Sequence, residues 1–432
     1  MVVFLLQVLI MVLLLVIGLK VGGAVGCGVF ALLGELVMVF LFHLAPGKVP
    51  LAAVYIILAI GIAGGVLELA GGIDYLVSLA ARVIRKYPKL ITYVAPLVTF
   101  LFVFGVGTSN IALSLEPIIA DTAVKAGIRP ERPLKATALT ANTALLCSPA
   151  AAAVAYMLSL FANHAITMRK YLLIVLPTAI LTTLLLSTFM TLKKFKTSDK
   201  KFMRQYQAKD AEQGEQHFST TTKLATLVFI LGIALVLLFG IFPEIAPRML
   251  LHGKMTAVPN DLMVMLLLFA TAGINMAFCK INPGKVFATK IGSSAFGGLL
   301  AVLGPGWLGS TLFDNPHNLV LLKQLVGSIV THNTWIVVPL IMLASMLIMS
   351  QSATVAVIFP IALSLGITPL FLLATVQALN FVFVIPAQPP MLFAADIDET
   401  GGTTKYGFIV PGIFTLLVSM VIGLIMIHVM PV

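Results

Sequence analysis

Long apolar runs recur along the whole chain, and each is close to the roughly 20 residues that a helix needs to cross a bilayer. The chain has 432 residues, of which 60% are hydrophobic and only 10% charged, whereas a soluble domain of this size needs far more surface charge. The opening run, residues 1–19, has no basic region before it and reads as a first span rather than a removable signal peptide. The sequence therefore predicts an all-α polytopic membrane protein.

The apolar runs predict about ten transmembrane helices, five in each half of the chain. In the first half they are expected at about 2–19, 21–44, 50–70, 134–162 and 171–192. In the second half they are expected at about 224–243, 261–279, 291–312, 370–394 and 406–429. A re-entrant helical hairpin is expected between the third and fourth span of each half, at about 90–126 and 334–365. Each hairpin arm has roughly 17 residues, near the lower limit for a full span, so complete crossing is the alternative.

One long polar segment divides the chain into two halves. The predicted organisation is a first inverted repeat at 1–192, a cytoplasmic linker at 193–223 and a second inverted repeat at 224–432. With this linker inside, all but six of the 27 Lys and Arg residues fall on the cytoplasmic side, as the positive-inside rule expects. An odd number of crossings per half gives the halves opposite orientations, which is the inverted-repeat design of secondary transporters, and puts both termini outside.

Two stretches carry the same pattern, residues 104–120 (FGVGTSNIALSLEPIIA) and 348–363 (IMSQSATVAVIFPIAL). Each sets small polar residues between two apolar arms. A polar tip inside an apolar hairpin is costly in lipid unless it lines a cavity, and a helix N-terminus directs N–H groups and about half a positive charge at an anion. Two such tips would suit a molecule with two carboxylates, whereas a polar turn that only packs helices is the alternative. The candidate binding residues at the tips are Gly107, Thr108, Ser109, Asn110, Ser350, Gln351, Ser352 and Thr354.

The span that follows each hairpin is interrupted by proline. Ser148 and Pro149 interrupt the first of these spans, and Pro386 and Gln388 lie in the interruption of the second. Such a break is tolerated in a membrane where it lines protein or a water-filled cavity. Two tips and two broken helices would then frame one site at the midplane, although Pro149 alone is equally consistent with an ordinary kink.

Three acidic residues fall within apolar segments, where such groups mark proton or ion pathways by default. They are Glu35, Glu68 and Glu116, and we expect them to be candidates for proton coupling. A protonated carboxyl bonded to a neighbouring helix is the alternative for each. Lys and Arg are absent from the middle of the predicted spans, so an anion would be held by helix dipoles and hydroxyls.

Basic residues cluster at the predicted inner face, chiefly as topology signals and lipid-headgroup contacts. Among them, Arg85, Arg129 and Arg132 are candidates for attracting an anionic substrate or for gating. The polar run at 396–407, which contains Asp398 and Thr403, directly follows the second broken helix and is a further candidate, with a plain loop as the alternative.

Other kinds of chemistry find no support in the sequence. The three cysteines lie far apart, the seven histidines show no metal-ligand spacing, and no phosphate loop or nucleophile elbow occurs. The net charge is +11, and the basic residues lie beside the spans. The positive-inside rule explains this placement better than nucleic-acid binding does. We therefore expect no catalytic residues, no metal site, no cofactor and no nucleic-acid partner.

A set of short motifs extends along nearly the whole chain, each weak alone but specific in order and spacing. They lie at 71–77 (GGIDYLV), 85–89 (RKYPK), 107–111 (GTSNI), 128–133 (IRPERP), 148–149 (SP), 306–309 (GWLG), 350–353 (SQSA) and 402–404 (GTT). In these motifs the chain resembles the anaerobic C4-dicarboxylate transporters of the Dcu A/B type, within the wider ion transporter superfamily.

The resemblance implies an inner-membrane carrier that exchanges succinate, fumarate, malate or aspartate in anaerobic bacteria, with an elevator mechanism and a homodimeric assembly. It also gives weight to Arg85, to Arg129 or Arg132, and to the region of Thr403. Three departures lie at the expected site. Ser109 stands where the family tends to have Gly, and residues 385–389 (IPAQP) replace a Leu-Pro-Thr-Tyr-Pro sequence. The run at 396–407 has one extra residue before Thr403.

Two other functions remain open at this point. The first is an ion-coupled carrier of another small organic anion, or an ion antiporter of the same superfamily, which would depend strictly on a sodium gradient. The second is a membrane sensor that binds dicarboxylate without moving it, in contact with a separate sensor kinase. An intramembrane enzyme is disfavoured, because no nucleophile–base pair or metal set can be assembled from the sequence.

Overall fold

The protein is mostly helical, and its described residues include eight helices long and apolar enough to cross a membrane. The computed structural model describes residues 1–164, 166–193, 217–251, 253–327, 333–385 and 388–430. Most of the predicted linker at 193–223 lies outside the described residues. The expectation of a polytopic helical membrane protein is confirmed. The structure also contains a short antiparallel hairpin of strands β1 (Arg248–Leu251) and β2 (Lys254–Ala257), which the sequence did not predict.

The described residues of the first half form eight helices, and their bounds follow the predicted spans closely. The addition is α3, an amphipathic helix that follows α2, and the fourth predicted span is divided into α6 and α7. The helices are α1 (Val2–Phe40), α2 (Leu51–Leu69), α3 (Gly72–Lys86), α4 (Ile91–Val106), α5 (Ile111–Lys125), α6 (Glu131–Leu145), α7 (Ala152–Phe161) and α8 (Met168–Leu192).

The described residues of the second half form nine more helices. The predicted span at 370–394 is divided into α15, a 3₁₀ segment at Val376–Phe383 and α16. The helices are α9 (Thr220–Ile241), α10 (Asn260–Cys279), α11 (Lys290–Phe313), α12 (Pro316–Leu322), α13 (Val337–Ile348), α14 (Gln351–Ser364), α15 (Pro369–Ala374), α16 (Pro389–Ile397) and α17 (Ile409–Val429).

Helix α1 is two antiparallel helices joined by a tight turn, as the predicted spans at 2–19 and 21–44 require. Gly22 and Gly23 leave helical geometry, and Gly23 has φ +56° and ψ −136°, a conformation that favours glycine. The backbones of Gly18 and Gly26 are so close that a Cβ on either residue would meet the main chain of the other. Small residues at such crossings let membrane helices approach closely.

The helices pack as two groups. In one group, α1 and α2 pack against α11, and α10 packs against both α2 and α9. In the other group, α4 packs against α6, α8 packs against α17, and α13 packs along the 3₁₀ segment. The groups meet where α7 contacts α2 and where α14 contacts α11, and α3 contacts both α9 and the α4–α5 pair.

Polar contacts join the helix ends that the sequence predicts to be cytoplasmic. The Glu68 carboxylate accepts from the main-chain N–H of Ile291 (2.9 Å), which links the end of α2 to the start of α11. The Arg132 side chain donates to the carbonyl of Thr191 (2.7 Å), which links the start of α6 to the end of α8. Each of these two contacts therefore holds two helix ends of the predicted cytoplasmic side next to each other.

Replacing Gly23 with alanine is expected to destabilise the protein, because a side chain is strained at this φ and ψ. We expect a loss of about 1–3 kcal/mol, seen as a lower midpoint of thermal unfolding in detergent. Gly273 in α10 is the matched control, because a Cβ at either residue would have no atom within 4 Å. Gly273→Ala should leave stability unchanged or raise it by up to about 1 kcal/mol. Equal shifts for both variants would refute the turn at Gly23.

Candidate functional site: a cavity at four helix N-termini

Four helices begin at the wall of one central cavity of about 330 Å³. They are the second arms of the two hairpins, α5 and α14, and the second segments of the two broken spans, α7 and α16. The residues at these four starts, Asn110, Ala152, Gln351 and Pro389, all line the cavity. The first N–H groups of a helix have no partner within it, and each N-terminus carries about half a positive charge.

The first tip is held against the break between α6 and α7. Gly107 ends α4 with φ +76°, and a Cβ at this residue would lie 2.1 Å from the carbonyl oxygen of Ala150. The Ser148 hydroxyl donates to the carbonyl of Phe104 (2.6 Å) and accepts from the N–H of Ala150 (3.2 Å). The tip therefore requires glycine at 107 and a small hydroxyl at 148.

The second tip is held against the break before α16. Met349 ends α13 in the left-handed region with φ +55°, and Ser350 accepts at its Oγ from the N–H of Ala353 (3.4 Å) to cap α14. The Gln388 amide donates to the carbonyl of Met349 (2.8 Å). Gln388 is thus a contact between the broken span and the tip.

Gln351 ties the second tip to both broken spans. Its amide nitrogen donates to the carbonyl of Asn142 in α6 (3.1 Å) and to Oδ1 of Asn380 in the 3₁₀ segment. The Asn380 amide in turn donates to Oε1 of Gln377 (2.6 Å). Sequence reasoning did not include Asn142, Gln377 or Asn380 in the site. The available signal was that Asn142 and Asn380 precede the two breaks at similar distances.

The opposite wall of the cavity comes from α1, α2 and α11 and is almost wholly apolar. Ile57 and Ile60 of α2 face it, with Ile291 and Ala295 of α11, and Ser294 is the polar exception. None of the described residues that line the cavity carries a charge. The electrostatics of the cavity are therefore set by helix ends and by neutral polar groups.

Most of the predicted binding residues line this cavity, namely Gly107, Thr108, Ser109, Asn110, Ser350, Gln351 and Ser352 of the tips and Gln388 of the second broken span. Ser148 lies behind the first tip, and Pro149 lines a neighbouring cavity of about 420 Å³. Thr354 is buried one turn into α14, where its hydroxyl donates to the carbonyl of Ser350 (2.8 Å). Pro386 lies outside the described residues.

Comparison with known proteins gives the same family along the whole chain. Residues 3–431 match the family described as anaerobic C4-dicarboxylate membrane transporters. The chain belongs to this family.

The chain is similar to several named transporters. It is 30% identical over 421 residues to "C4-dicarboxylate transporter DcuA" of Escherichia coli K12, which covers 94% of each chain. It is 30% identical over 413 residues to the protein of the same name from Wolinella succinogenes, covering 93% of this chain and 94% of that one. It is 28% identical over 422 residues to "Anaerobic C4-dicarboxylate transporter DcuB" of Escherichia coli O157:H7, covering 93% of each chain.

Membership of this family makes the chain a multi-pass membrane transporter and not an enzyme. The family match runs from residue 3 to residue 431, so the residues that line the central cavity lie within it. The individual roles of the tip residues stay predictions.

The three acidic residues that the sequence places within apolar segments have different surroundings. Glu35 accepts from the hydroxyl of Thr311 (2.7 Å) between α1 and α11. Glu68 caps the N-terminus of α11, a contact that favours a structural role. Glu116 is fully buried in α5, and neither of its carboxyl oxygens has a hydrogen-bond partner among the described residues. Of the three, Glu116 is therefore the strongest candidate for a proton-carrying group.

A buried ionic cluster lies at the start of α6. Glu131 pairs with Lys135 (3.1 Å) and with Arg129 (3.4 Å), and all three side chains are buried. Lys135 also donates to the carbonyl of Gly402 (3.2 Å), in the polar run that precedes α17. The cluster thus joins the first half of the chain to the second. Lys135 is not among the candidate residues predicted from the sequence.

Two of the remaining predicted residues, Asp398 and Thr403, lie in the polar run that contacts this cluster. Asp398 accepts from the N–H of Thr403 (2.7 Å), which folds the polar run into a tight loop. Burial, followed by the positive charge of Lys135, lowers the pKa of Lys193 at the end of α8. Arg85 lies exposed near the end of α3. The predicted roles of these residues in gating or substrate attraction stay predictions.

Gly107→Ala is expected to disrupt the first tip, because it combines strain at positive φ with a contact of 2.1 Å to the Ala150 carbonyl. The backbone strain alone costs about 1–3 kcal/mol. We expect a lower midpoint of thermal unfolding and loss of dicarboxylate uptake by proteoliposomes. Gly105→Ala is the control two residues away, where a Cβ would have no atom within 4 Å. Wild-type uptake by Gly107→Ala would show that the tip does not depend on this close approach.

Proposed function

We propose that the chain is a secondary carrier that moves C4-dicarboxylates such as succinate, fumarate, malate and aspartate across the bacterial inner membrane. It works by exchange of one dicarboxylate for another or by proton-coupled uptake. The observation that supports this proposal most directly is the convergence of four helix N-termini on one cavity without charged side chains. The names of the relatives, C4-dicarboxylate transporters, agree with it.

The charges balance for a dianion. Each helix N-terminus contributes about half a positive charge, so four of them offer about two, which equals the charge of a fully ionised C4-dicarboxylate. The starts of α5, α7 and α14 can also offer N–H donors, whereas α16 begins with Pro389 and Pro390 and offers only its dipole. Hydroxyls of Thr108, Ser109 and Ser352 supply further donors. The two carboxylates would lie at the two tips.

The distribution of polar groups favours an elevator motion. Both tips and both broken spans belong to one helix group, whereas the α1, α2 and α11 wall of the other group is almost wholly apolar. A dicarboxylate would therefore be held by one group alone. Sliding of that group along the apolar wall would carry the substrate without breaking polar contacts to the wall.

Two features support inverted repeats with re-entrant hairpins. Contacts between the halves are reciprocal: α7 packs against α14, and α16 packs against α5. Phe161 of α7 stacks on Phe359 of α14, with ring centroids 6.1 Å apart. The hairpin helices α5, α13 and α14 have 15, 12 and 14 residues, which is short of the roughly 17–25 needed for a full span, whereas α4 together with the 3₁₀ turn before it reaches 19 residues.

The sidedness and assembly that we propose follow from the sequence. The basic helix ends face the cytoplasm and both termini face the outside, in accordance with the positive-inside rule. A homodimer is the assembly that the family resemblance implies. A separate sensor kinase would be a further partner only if the protein also signals.

Counterflow in proteoliposomes tests the proposed function. Liposomes preloaded with succinate are expected to take up labelled succinate, fumarate or aspartate faster than empty liposomes. Exchange of succinate for succinate or fumarate avoids net movement of charge, because each is a dianion at neutral pH. Absence of uptake for all three substrates, with binding retained, would support the sensor instead. Strict dependence on a sodium gradient would support the ion-coupled alternative.

Substitution of the tip serines tests, in the same uptake assay, whether these residues bind the substrate. Ser109→Ala and Ser352→Ala each remove a donor beside the dianion, so we expect KM to rise about tenfold or more, equivalent to about 1.5–3 kcal/mol for a charged hydrogen bond. Ser78→Ala in α3 is the control, because its hydroxyl donates only to the carbonyl of Tyr75 (2.7 Å). Unchanged KM in both tip variants would refute their assignment to the site.

Glu116 supplies the test of proton-coupled uptake. Its buried carboxyl has no partner among the described residues, so a fixed charge there would be uncompensated, and neutralisation by a proton relieves that cost. We expect Glu116→Gln to abolish uptake driven by an inside-alkaline pH gradient while succinate counterflow continues. Gradient-driven uptake at the wild-type rate in this variant would exclude Glu116 as the coupling group.

A further inference from the structure

Another cavity, of about 470 Å³, lies between α3, α4 and α9, and the described residues that line it have apolar side chains only. Leu79 and Val83 of α3 face it from one side, Leu101 and Gly105 of α4 from another, and Ile230 of α9 from the third. Leu101 is 65% exposed and Ile230 is 47% exposed, so the cavity opens to the outer surface of the helix bundle.

Water is a poor occupant of this cavity, because a buried or semi-buried water needs two to four polar partners. At a surface formed by apolar membrane helices, the surrounding medium is hydrocarbon. An acyl chain can fill the space and contact all three helices through dispersion forces. The occupant should therefore be a lipid chain that enters from the bilayer.

Basic side chains lie beside the mouth of the cavity. Arg82 and Lys86 are exposed and follow Leu79 and Val83 by three residues each, which places them one helical turn further along α3 toward its basic end. Helix α3 is amphipathic, as expected of a helix at the membrane interface. Basic residues at such a position attract anionic lipid headgroups.

We propose that this cavity binds one anionic phospholipid, with an acyl chain between α4 and α9 and its phosphate near Arg82 and Lys86. The site is independent of the dicarboxylate cavity in chemistry but adjoins it, because Val106 lines both. Helix α4 carries the first tip, whereas α9 belongs to the other helix group. The bound lipid therefore occupies the seam between the two groups of helices.

Native mass spectrometry of the purified full chain tests this site. The protein is exchanged into detergent containing equal amounts of phosphatidylglycerol and phosphatidylcholine, and the lipid retained per chain is measured. We expect one retained phosphatidylglycerol, in preference to phosphatidylcholine. Gly105→Phe should lower retention at least about tenfold, equivalent to about 1.4 kcal/mol, because its side chain would enter space with no atom within 4 Å of the Cβ. R82Q/K86Q should remove the preference for phosphatidylglycerol.

Gly273→Phe in α10 is the matched control, because this helical glycine also faces open space but lies away from the cavity. It should retain lipid like the wild type. Undiminished retention in Gly105→Phe, or equal retention of both lipids by the wild type, would overturn the proposal. A dimer that Gly105→Phe dissociates would also overturn it, because the occupant would then be a second copy of the chain. Since no dicarboxylate is present, the result is separate from the test of transport.

Discussion

Burial of four helix N-termini at one point is the constraint on which the rest of this structure depends. In a membrane interior, each unpaired N–H group costs several kcal/mol. A helix therefore begins there only where a polar group or ligand faces its first N–H groups. The hairpin turns, the two broken spans and the close approach of Gly107 to Ala150 all serve this convergence. A dianion fits a cavity of this kind, in which helix N-termini and not basic side chains supply the positive charge.

The neutral polar contacts around the cavity fix the tips without supplying charge. Ser148 holds the first tip through the carbonyl of Phe104, and Gln388 holds the second through the carbonyl of Met349. Gln351 commits its amide nitrogen to Asn142 and Asn380, so it positions the tip rather than offering that nitrogen to a ligand. The full charges lie elsewhere, in the buried cluster at the start of α6.

The sequence allowed prediction of the features that have strong local signals. Apolar runs predicted the spans, the duplicated polar clusters predicted the tips, and proline at 149 and 386 predicted the breaks. The contacts of Gln351 with Asn142 and of Lys135 with Gly402 could not be predicted, because each joins residues more than 200 positions apart through packing of separate helices.

The structure of the carrier with succinate bound is the most direct test of this account. We predict density for one succinate in the central cavity, with its carboxylates at residues 108–110 and 350–352 and within reach of the N–H groups that begin α5, α7 and α14. Succinate in the neighbouring cavity beside Pro149, or at the basic cluster around Lys135, with the tips unoccupied, would contradict the account.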